Sequence, residues 1–448
     1  MASTCWKSRV SRIADHILLL VVVAPLVSVY WCGMFYLVDH YVFPSDYMTS
    51  IWFTCILGYA AVFVCHLIHE RLTKIAQLTD ALYNPLSRFY SILLIIVIVF
   101  QWRGFWYILD HYLGPGYVSA GGCLALGYAL MAASGCSKSM TGVVPFILIA
   151  DDKTNYFIAF SKYAHLTSRN PILHFANHLY SVFYIHPSII LVWRGLWHIQ
   201  DFGIFPDVPI NSGVVSLGLG IIMSVTCYIV QWPLNSCVKR LPRVPRFLVE
   251  QLWRIIVSAT AVFYWRGSWV FWELMFKGDL FTMWFVTITA AFLLCALNCW
   301  SIATLRGVCV DDPLDSEDDS ILLEIHYFSA IVSTVKKQLV SKNQARTFKN
   351  DLYTAVPSTN SLPSVAVEKD GECAPDQRPL TESHNGSATM NNNGVVNNNN
   401  NNSNNSSRNK PAADVNGDVM RKRRTSSCAE NQEDYSASNW HKAPESIV

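Results

Sequence analysis

Trp102-Arg103-Gly104-Phe105-Trp106, followed by Asp110, decides how this chain is read, because the phrase returns. It recurs as Trp193-Arg194-Gly195-Leu196-Trp197 with Asp201, and as Trp265-Arg266-Gly267-Ser268-Trp269 with Glu273. An earlier copy, Trp31-Cys32-Gly33-Met34-Phe35 with Asp39, carries Cys in place of Arg and Phe in place of the second Trp. In every copy the acid stands eight residues after the first Trp, and successive copies lie 71, 91 and 72 residues apart. A near-constant spacing of this kind marks a duplicated structural unit. Each copy closes a hydrophobic run, so the unit is read as a pair of membrane-spanning helices with the phrase at the outer end of the first.

Composition agrees with that reading. Of 448 residues, 52% are hydrophobic and only 15% charged, and the apolar residues are concentrated before about position 300. A net charge of +2 carries no electrostatic signature of nucleic-acid binding. The first apolar run, 14–38, is too long for a signal-peptide core and is followed by further spans. The 13 cysteines fall in apolar runs or on the side expected to be cytosolic, which argues against a disulfide framework. Cys136, Cys237 and Cys309 lie just beyond expected helix ends, where S-palmitoylation is compatible with the sequence.

A helix needs about 20 apolar residues to cross the hydrocarbon core. Runs near that length occur at 14–38, 48–69, 88–109, 117–135, 179–200, 212–232, 250–272 and 280–300. The expected fold is therefore an all-α polytopic membrane protein of eight transmembrane helices, arranged as four repeated hairpins. Lys and Arg set its orientation. Fourteen of them precede the first run or lie between runs 2 and 3, 4 and 5, and 6 and 7, whereas the alternate connections carry only Lys277. Both termini are thus expected in the cytosol and the four acids outside. Residues 1–13 form the cytosolic amino terminus and 14–300 the membrane domain, in two parallel-repeat halves, 14–135 and 179–300. The short apolar stretch 143–150 in the long connection reads as a packed or interfacial segment, with a re-entrant loop as the sharper alternative.

Beyond 300, an acidic run (Asp311, Asp312, Asp315, Glu317, Asp318, Asp319) leads into 321–340. There Ile321, Leu322, Ile325, Phe328, Ile331, Val332, Val335 and Leu339 recur at helical spacing, which predicts an amphipathic juxtamembrane helix within 301–344. Residues 345–448 read as a disordered tail with an Asn-rich tract around 391–405.

The intramembrane arginines are the main chemical anomaly. Arg103, Arg194 and Arg266 each precede their acid by seven residues, roughly 10 Å at 1.5 Å per residue. An arginine at mid-membrane costs on the order of 2.5–3.5 kcal/mol on insertion scales. Helical side chains lean toward the amino terminus, so each should point deeper, away from its own acid. The expectation is a charge network inside the bundle, Arg103, Arg194 and Arg266 with Asp39, Asp110, Asp201 and Glu273, formed between different helices. An ion or substrate pathway is the alternative. Because Cys32 replaces the first arginine, four acids face three arginines and a strictly equivalent ring is excluded. Trp102 with Trp106, Trp193 with Trp197, and Trp265 with Trp269 suit helix packing or the outer interface. Gly104, Gly195 and Gly267 permit close backbone approach.

His66, His69 and Glu70 resemble a metal-ligand cluster, but no second cluster matches it, and His174, His178 and His186 are loosely spread. The sequence reading therefore assigns no metal and no other cofactor. No phosphate loop, nucleophile elbow or Cys-x-x-Cys pair occurs, so an enzyme has no constellation to stand on. The chain ends Glu445-Ser446-Ile447-Val448, a pattern suited to PDZ scaffold proteins, which bind a free carboxylate and an apolar last side chain by strand addition. Upstream, Arg421 to Arg424 precede Ser426 and Ser427, which reads as an electrostatic membrane contact that phosphorylation would release, or simply as a solvated charge run.

The Trp-Arg-Gly phrases, the eight expected spans and the low-complexity tail resemble the Fuseless family of insects and nematodes, over about residues 14–300. That resemblance implies a neuronal, presynaptic membrane protein associated with organising voltage-gated calcium channels and vesicle release. It supplies no catalytic or ligand-binding residue. The reading it favours is a non-enzymatic organiser whose partners are the lipid bilayer, PDZ scaffolds and calcium channels. The runner-up is a small-solute transporter or channel accessory subunit whose arginines contact an anionic substrate.

Overall fold

The computed structural model describes residues 2–354, apart from 155, 165–169, 277–278, 305–306 and 312–319. The elements, in order, are α1 (Ala2–Leu18), a π-turn (Leu19–Val23), α2 (Ala24–Tyr41), α3 (Tyr47–Leu78), α4 (Asp80–Leu113) and α5 (Tyr117–Ser134). After a short β1 (Ile147–Leu148) come α6 (Pro171–Tyr180), a second π-turn (Ser181–Ile185), α7 (His186–Gly203), α8 (Pro209–Val238) and α9 (Arg243–Phe276). The order ends with α10 (Leu280–Ala296), β2 (Glu324–Ile325) and α11 (Tyr327–Thr354). Among the described residues, six helices are long and apolar enough to cross a membrane: Val10–Tyr41, Tyr47–Gln77, Ala81–Leu113, Tyr117–Ser134, Pro209–Val238 and Arg243–Phe276. This is a mostly helical membrane protein.

Local sequence explains where the helices start and bend. Asp46 accepts from Thr49 N at 3.0 Å and caps α3, and Asp279 accepts from Thr282 N at 2.9 Å and caps α10. The Thr49 and Thr282 hydroxyls donate to the same carboxyls, and these side-chain bonds first, with the backbone ones second, hold both exposed groups below their ordinary pKa. Asn170 caps α6 through Ile172 N at 2.9 Å. Each π-turn sits immediately before a helix with Pro in its first two positions, α2 (Pro25) and α7 (Pro187). A proline lacks the N–H and displaces the carbonyl one turn earlier, and a widened turn absorbs the misfit.

The four phrase-bearing helices α2, α4, α7 and α9 touch one another as an inner ring, and each has one principal outer partner. Those pairs are α3 with α4, α5 with α7, α8 with α9, and α10 with α2. The expected hairpins paired each phrase-bearing helix with the span that follows it. The structure instead sets α4 on α3, α7 on α5 and α9 on α8, and closes the circle by setting α10 on α2. Glycine is the physical reason. A Cβ on Gly104 would strike the Cys55 backbone in α3, one on Gly195 the backbone of Ala120 and Leu124 in α5, and one on Gly267 the backbone of Leu217 in α8. The bare glycine lets these helices approach as close as their backbones allow.

The 143–150 stretch is a packed segment, and the chain beyond 300, expected to leave the membrane domain, joins it at the base. Val144, Phe146 and Leu148 of the 143–150 stretch are buried, and β1 pairs in parallel with β2. The amphipathic helix predicted from 321 begins at Tyr327 instead, with Ile321 buried in a turn and Ile325 buried in β2. Indole donors account for this: Trp253 donates to Ile321 O at 3.0 Å, Trp265 to Val144 O at 2.7 Å and Trp31 to Ala303 O at 2.8 Å. Turns and the ends of short 3-10 segments offer carbonyls that a continuous α-helix would keep for itself. Phe328, Ile331, Val332, Val335 and Leu339 remain on α11, with Val332, Val335 and Leu339 exposed. Residues 345–354 continue α11. The tail, with Ser426, Ser427, Ser446, Ile447 and Val448, lies outside the described residues, as do acids 312–319 of the acidic run.

Candidate functional site

The tryptophans that open the four phrases meet on the axis of the inner ring. Trp31, Trp102, Trp193 and Trp265 form a closed cycle of edge-to-face contacts, with centroids 5.8, 5.6, 5.7 and 5.8 Å apart. Interplanar angles of 79–87° put the edge of each indole against the face of the next. Such contacts contribute about 0.5–1.5 kcal/mol each beyond their buried area. One turn outward, Trp106, Trp197, Trp269 and Phe35 stack in the same manner, at 5.8, 6.0 and 5.1 Å. The second aromatic of each phrase therefore belongs to the axis and not to a lipid interface.

Outside the aromatic layers lie the ion pairs. Arg103 Nε donates to Asp39 at 2.5 Å, Arg194 Nε to Asp110 at 2.7 Å, and Arg266 Nε to Asp201 at 2.7 Å. Each arginine thus takes the acid of the preceding phrase, on a neighbouring helix. The guanidinium groups are 3%, 0% and 1% exposed in residue terms, while their acids keep 21%, 27% and 12% of their side-chain surface. The expectation that the arginines point deeper is corrected: they extend toward the acid end. A charge-assisted pair with added hydrogen bonds outweighs the ordinary lean of a long helical side chain.

The added hydrogen bonds come from positions the sequence reading passed over. Arg103 donates to Ser50 (3.0 Å) and Thr54 (3.3 Å), and Arg266 to Ser212 and Ser216 (both 2.7 Å). Arg194 reaches Ser119 (3.0 Å), Cys123 Sγ (3.2 Å) and Gly114 O (3.0 Å). The signal was there: Ser50/Thr54/Gly58, Ser119/Cys123/Gly127 and Ser212/Ser216/Gly220 share one spacing of four, and Met283/Thr287/Ala291 is the degenerate fourth. It is legible only once one knows that these helices back onto the phrases.

The fourth corner of the network is open. Cys32 stands where the arginine would be, and Glu273 accepts a hydrogen bond from its own Trp269 Nε1 at 2.7 Å. His198, unremarked in the sequence, bridges the other side, 3.0 Å from Asp110 and 3.2 Å from Asp201. An axial cavity of about 200 Å³ runs from these four acids past both aromatic layers to Ser139, Gly142, Val143 and Ile302–Thr304 at its base.

A second charge cluster lies at the base. Glu250 accepts from Arg246 (2.9 Å) and Ser320 (2.6 Å), and Arg254 pairs with Asp311 at 3.0 Å. Of the candidate acylation thiols, Cys136 is buried, Cys309 half-buried and Cys237 exposed. The structure also joins what the sequence left scattered: His66 and His69 of α3 face His174, His178 and His186. They come together because the long connection carries α6 back onto α3.

With an inner ring of four phrase-bearing helices around an aromatic axis, the fold is that of a multi-pass helical membrane protein. The chain matches the Fuseless family over residues 10–303, and it belongs to that family. No curated protein and no solved structure matches it significantly.

Proposed function

We propose that this chain is a non-enzymatic organiser in the presynaptic plasma membrane, positioning voltage-gated calcium channels and supporting vesicle release. Eight crossings complete the topology: the six long helices, the 171–203 run broken by its π-turn, and α10. Both termini then lie in the cytosol, where Ser446, Ile447 and Val448 recruit PDZ scaffolds and the helical body anchors neighbouring membrane proteins. Family membership supports this reading. The observation that carries it is that all three intramembrane arginines are held in interhelical ion pairs above an axis whose base is occupied by 139–143 and 302–304. That is the arrangement of a rigid body rather than an anion pathway.

Removing Ser446 to Val448 tests it. The expected outcome is a normally folded protein that is displaced from release sites, with calcium channels more dispersed around them. Unchanged channel placement and release would overturn the tail mechanism. In reconstituted vesicles the intact protein should give no flux of inorganic or carboxylate anions.

One observation favours a modified form of the runner-up. The cavity wall is aromatic faces and carboxylates, with Glu273 lacking an arginine partner among the described residues. Such a wall suits an organic cation rather than the anion first considered. Saturable quenching of tryptophan emission by tetramethylammonium, lost in Glu273→Gln, would support it, and the absence of quenching at millimolar concentration would remove it.

A further inference from the structure

Away from the axis, near the end of α3 opposite its Asp46 cap, three imidazoles from two elements converge. His69 comes from α3, and His174 and His178 come from α6, one turn apart. Their ligand-capable nitrogens all lie within 4.8 Å of one another. His66, one turn before His69, sits behind them, with its ring 5.4 Å from that of His178 and 5.5 Å from that of His186.

These groups are buried and short of partners. His66, His69 and His178 are 2%, 7% and 1% exposed, and the Nδ1 atom of each has no hydrogen-bond partner among the described residues. The plain reading is a packed cluster of neutral histidines. It meets an energetic objection, since each buried polar atom left unpaired costs about 1–3 kcal/mol. Three such atoms in one place make a costly core, and two of them, on His69 and His178, belong to the converging trio.

We propose that His69, His174 and His178 bind a divalent transition-metal ion of the zinc class. Nitrogen donors without a carboxylate cage select zinc or copper over calcium and magnesium, which take oxygen. Three imidazoles supply three of four tetrahedral positions, and water or the neighbouring Glu70 supplies the fourth. Zinc–nitrogen bonds of about 2.0–2.1 Å require the rings to draw together, a small rotation for side chains already facing one point. Bound metal would clamp α6 onto α3, and so fasten the segment that follows the long connection to an outer helix two spans away. The clamp is independent of the organiser reading and stands whether or not that reading survives.

The test uses the full chain in detergent micelles, stripped with chelator and titrated with Zn²⁺. One tightly held ion per chain and a raised thermal unfolding temperature are expected, with Mg²⁺ giving neither. His174→Gln, at a half-exposed position, should weaken Zn²⁺ binding at least about tenfold, a loss that even supporting partners of metal ligands can produce. Co²⁺ substitution guards against a variant that fails to fold, and against the cysteines. Tetrahedral visible bands without sulfur charge-transfer absorption in the wild-type protein support the site. No stoichiometric Zn²⁺ binding, sulfur bands in the Co²⁺ spectrum, or a folded His69→Gln/His174→Gln protein that binds as tightly as wild type would overturn it.

Discussion

At the scale of single residues, the four acids look alike in sequence and differ in what they hold. Asp110 neutralises Arg194, which has no exposed surface, and also receives His198. Asp110→Asn leaves that arginine buried without its counter-ion, and breaking a buried pair from one side costs about 3–5 kcal/mol. Glu273 has no arginine to strand among the described residues, so Glu273→Gln should change stability by less than about 0.5 kcal/mol. Thermal or denaturant unfolding of the two variants in the same detergent checks the contrast. Equal destabilisation would show that the network is not what the ion-pair geometry implies. The arginine–acid sets were legible in sequence as residue types. Which acid each arginine takes was not, because seven-residue spacing along one helix says nothing about its neighbour.

At the scale of elements, pairing is decided by small residues rather than by chain order. Gly267 faces the Leu217 backbone, and even one methyl there must push two helices apart. Gly267→Ala and Gly104→Ala should each cost about 1–3 kcal/mol, the usual range for overpacking. Gly218, in α8 with nothing within 4 Å of where its Cβ would stand, should accept alanine without loss. Detergent melting curves of the three variants give the comparison. Losses of similar size at all three positions would contradict the proposed packing. Gly104, Gly195 and Gly267 could be singled out in sequence as points of close approach. Their partners could not, since hydropathy locates a span without saying which span it touches.

At the scale of the whole molecule, the segment 297–327 joins the base to the ring. Trp31 and Trp253 donate to its carbonyls, and Tyr327 OH donates to Leu297 O. Truncation after Ala296 would strip acceptors from two buried indoles, each at about 1–3 kcal/mol, and expose the foot of the axis. Truncation after Thr354 keeps them all. Size-exclusion profiles of fluorescently tagged versions should show a folded, monodisperse longer protein and an aggregated or unstable shorter one. Equal behaviour would mean that the base adds nothing to the body. Read from sequence alone, this segment had left the membrane domain, because its apolar residues are too few and too spaced to cross.

The periodic phrase, read alone, pointed to a helical membrane protein with arginines inside it and acids to match them. Those are local properties: hydropathy, spacing and residue type fix whether a helix forms and which of its groups cannot face lipid. Only the tertiary structure determined that α4 backs onto α3, α7 onto α5 and α9 onto α8, that four indoles close a cycle, and that distant histidines share one point. Such facts depend on which helices are neighbours, and that is settled by packing shape and by partners dozens to hundreds of residues away.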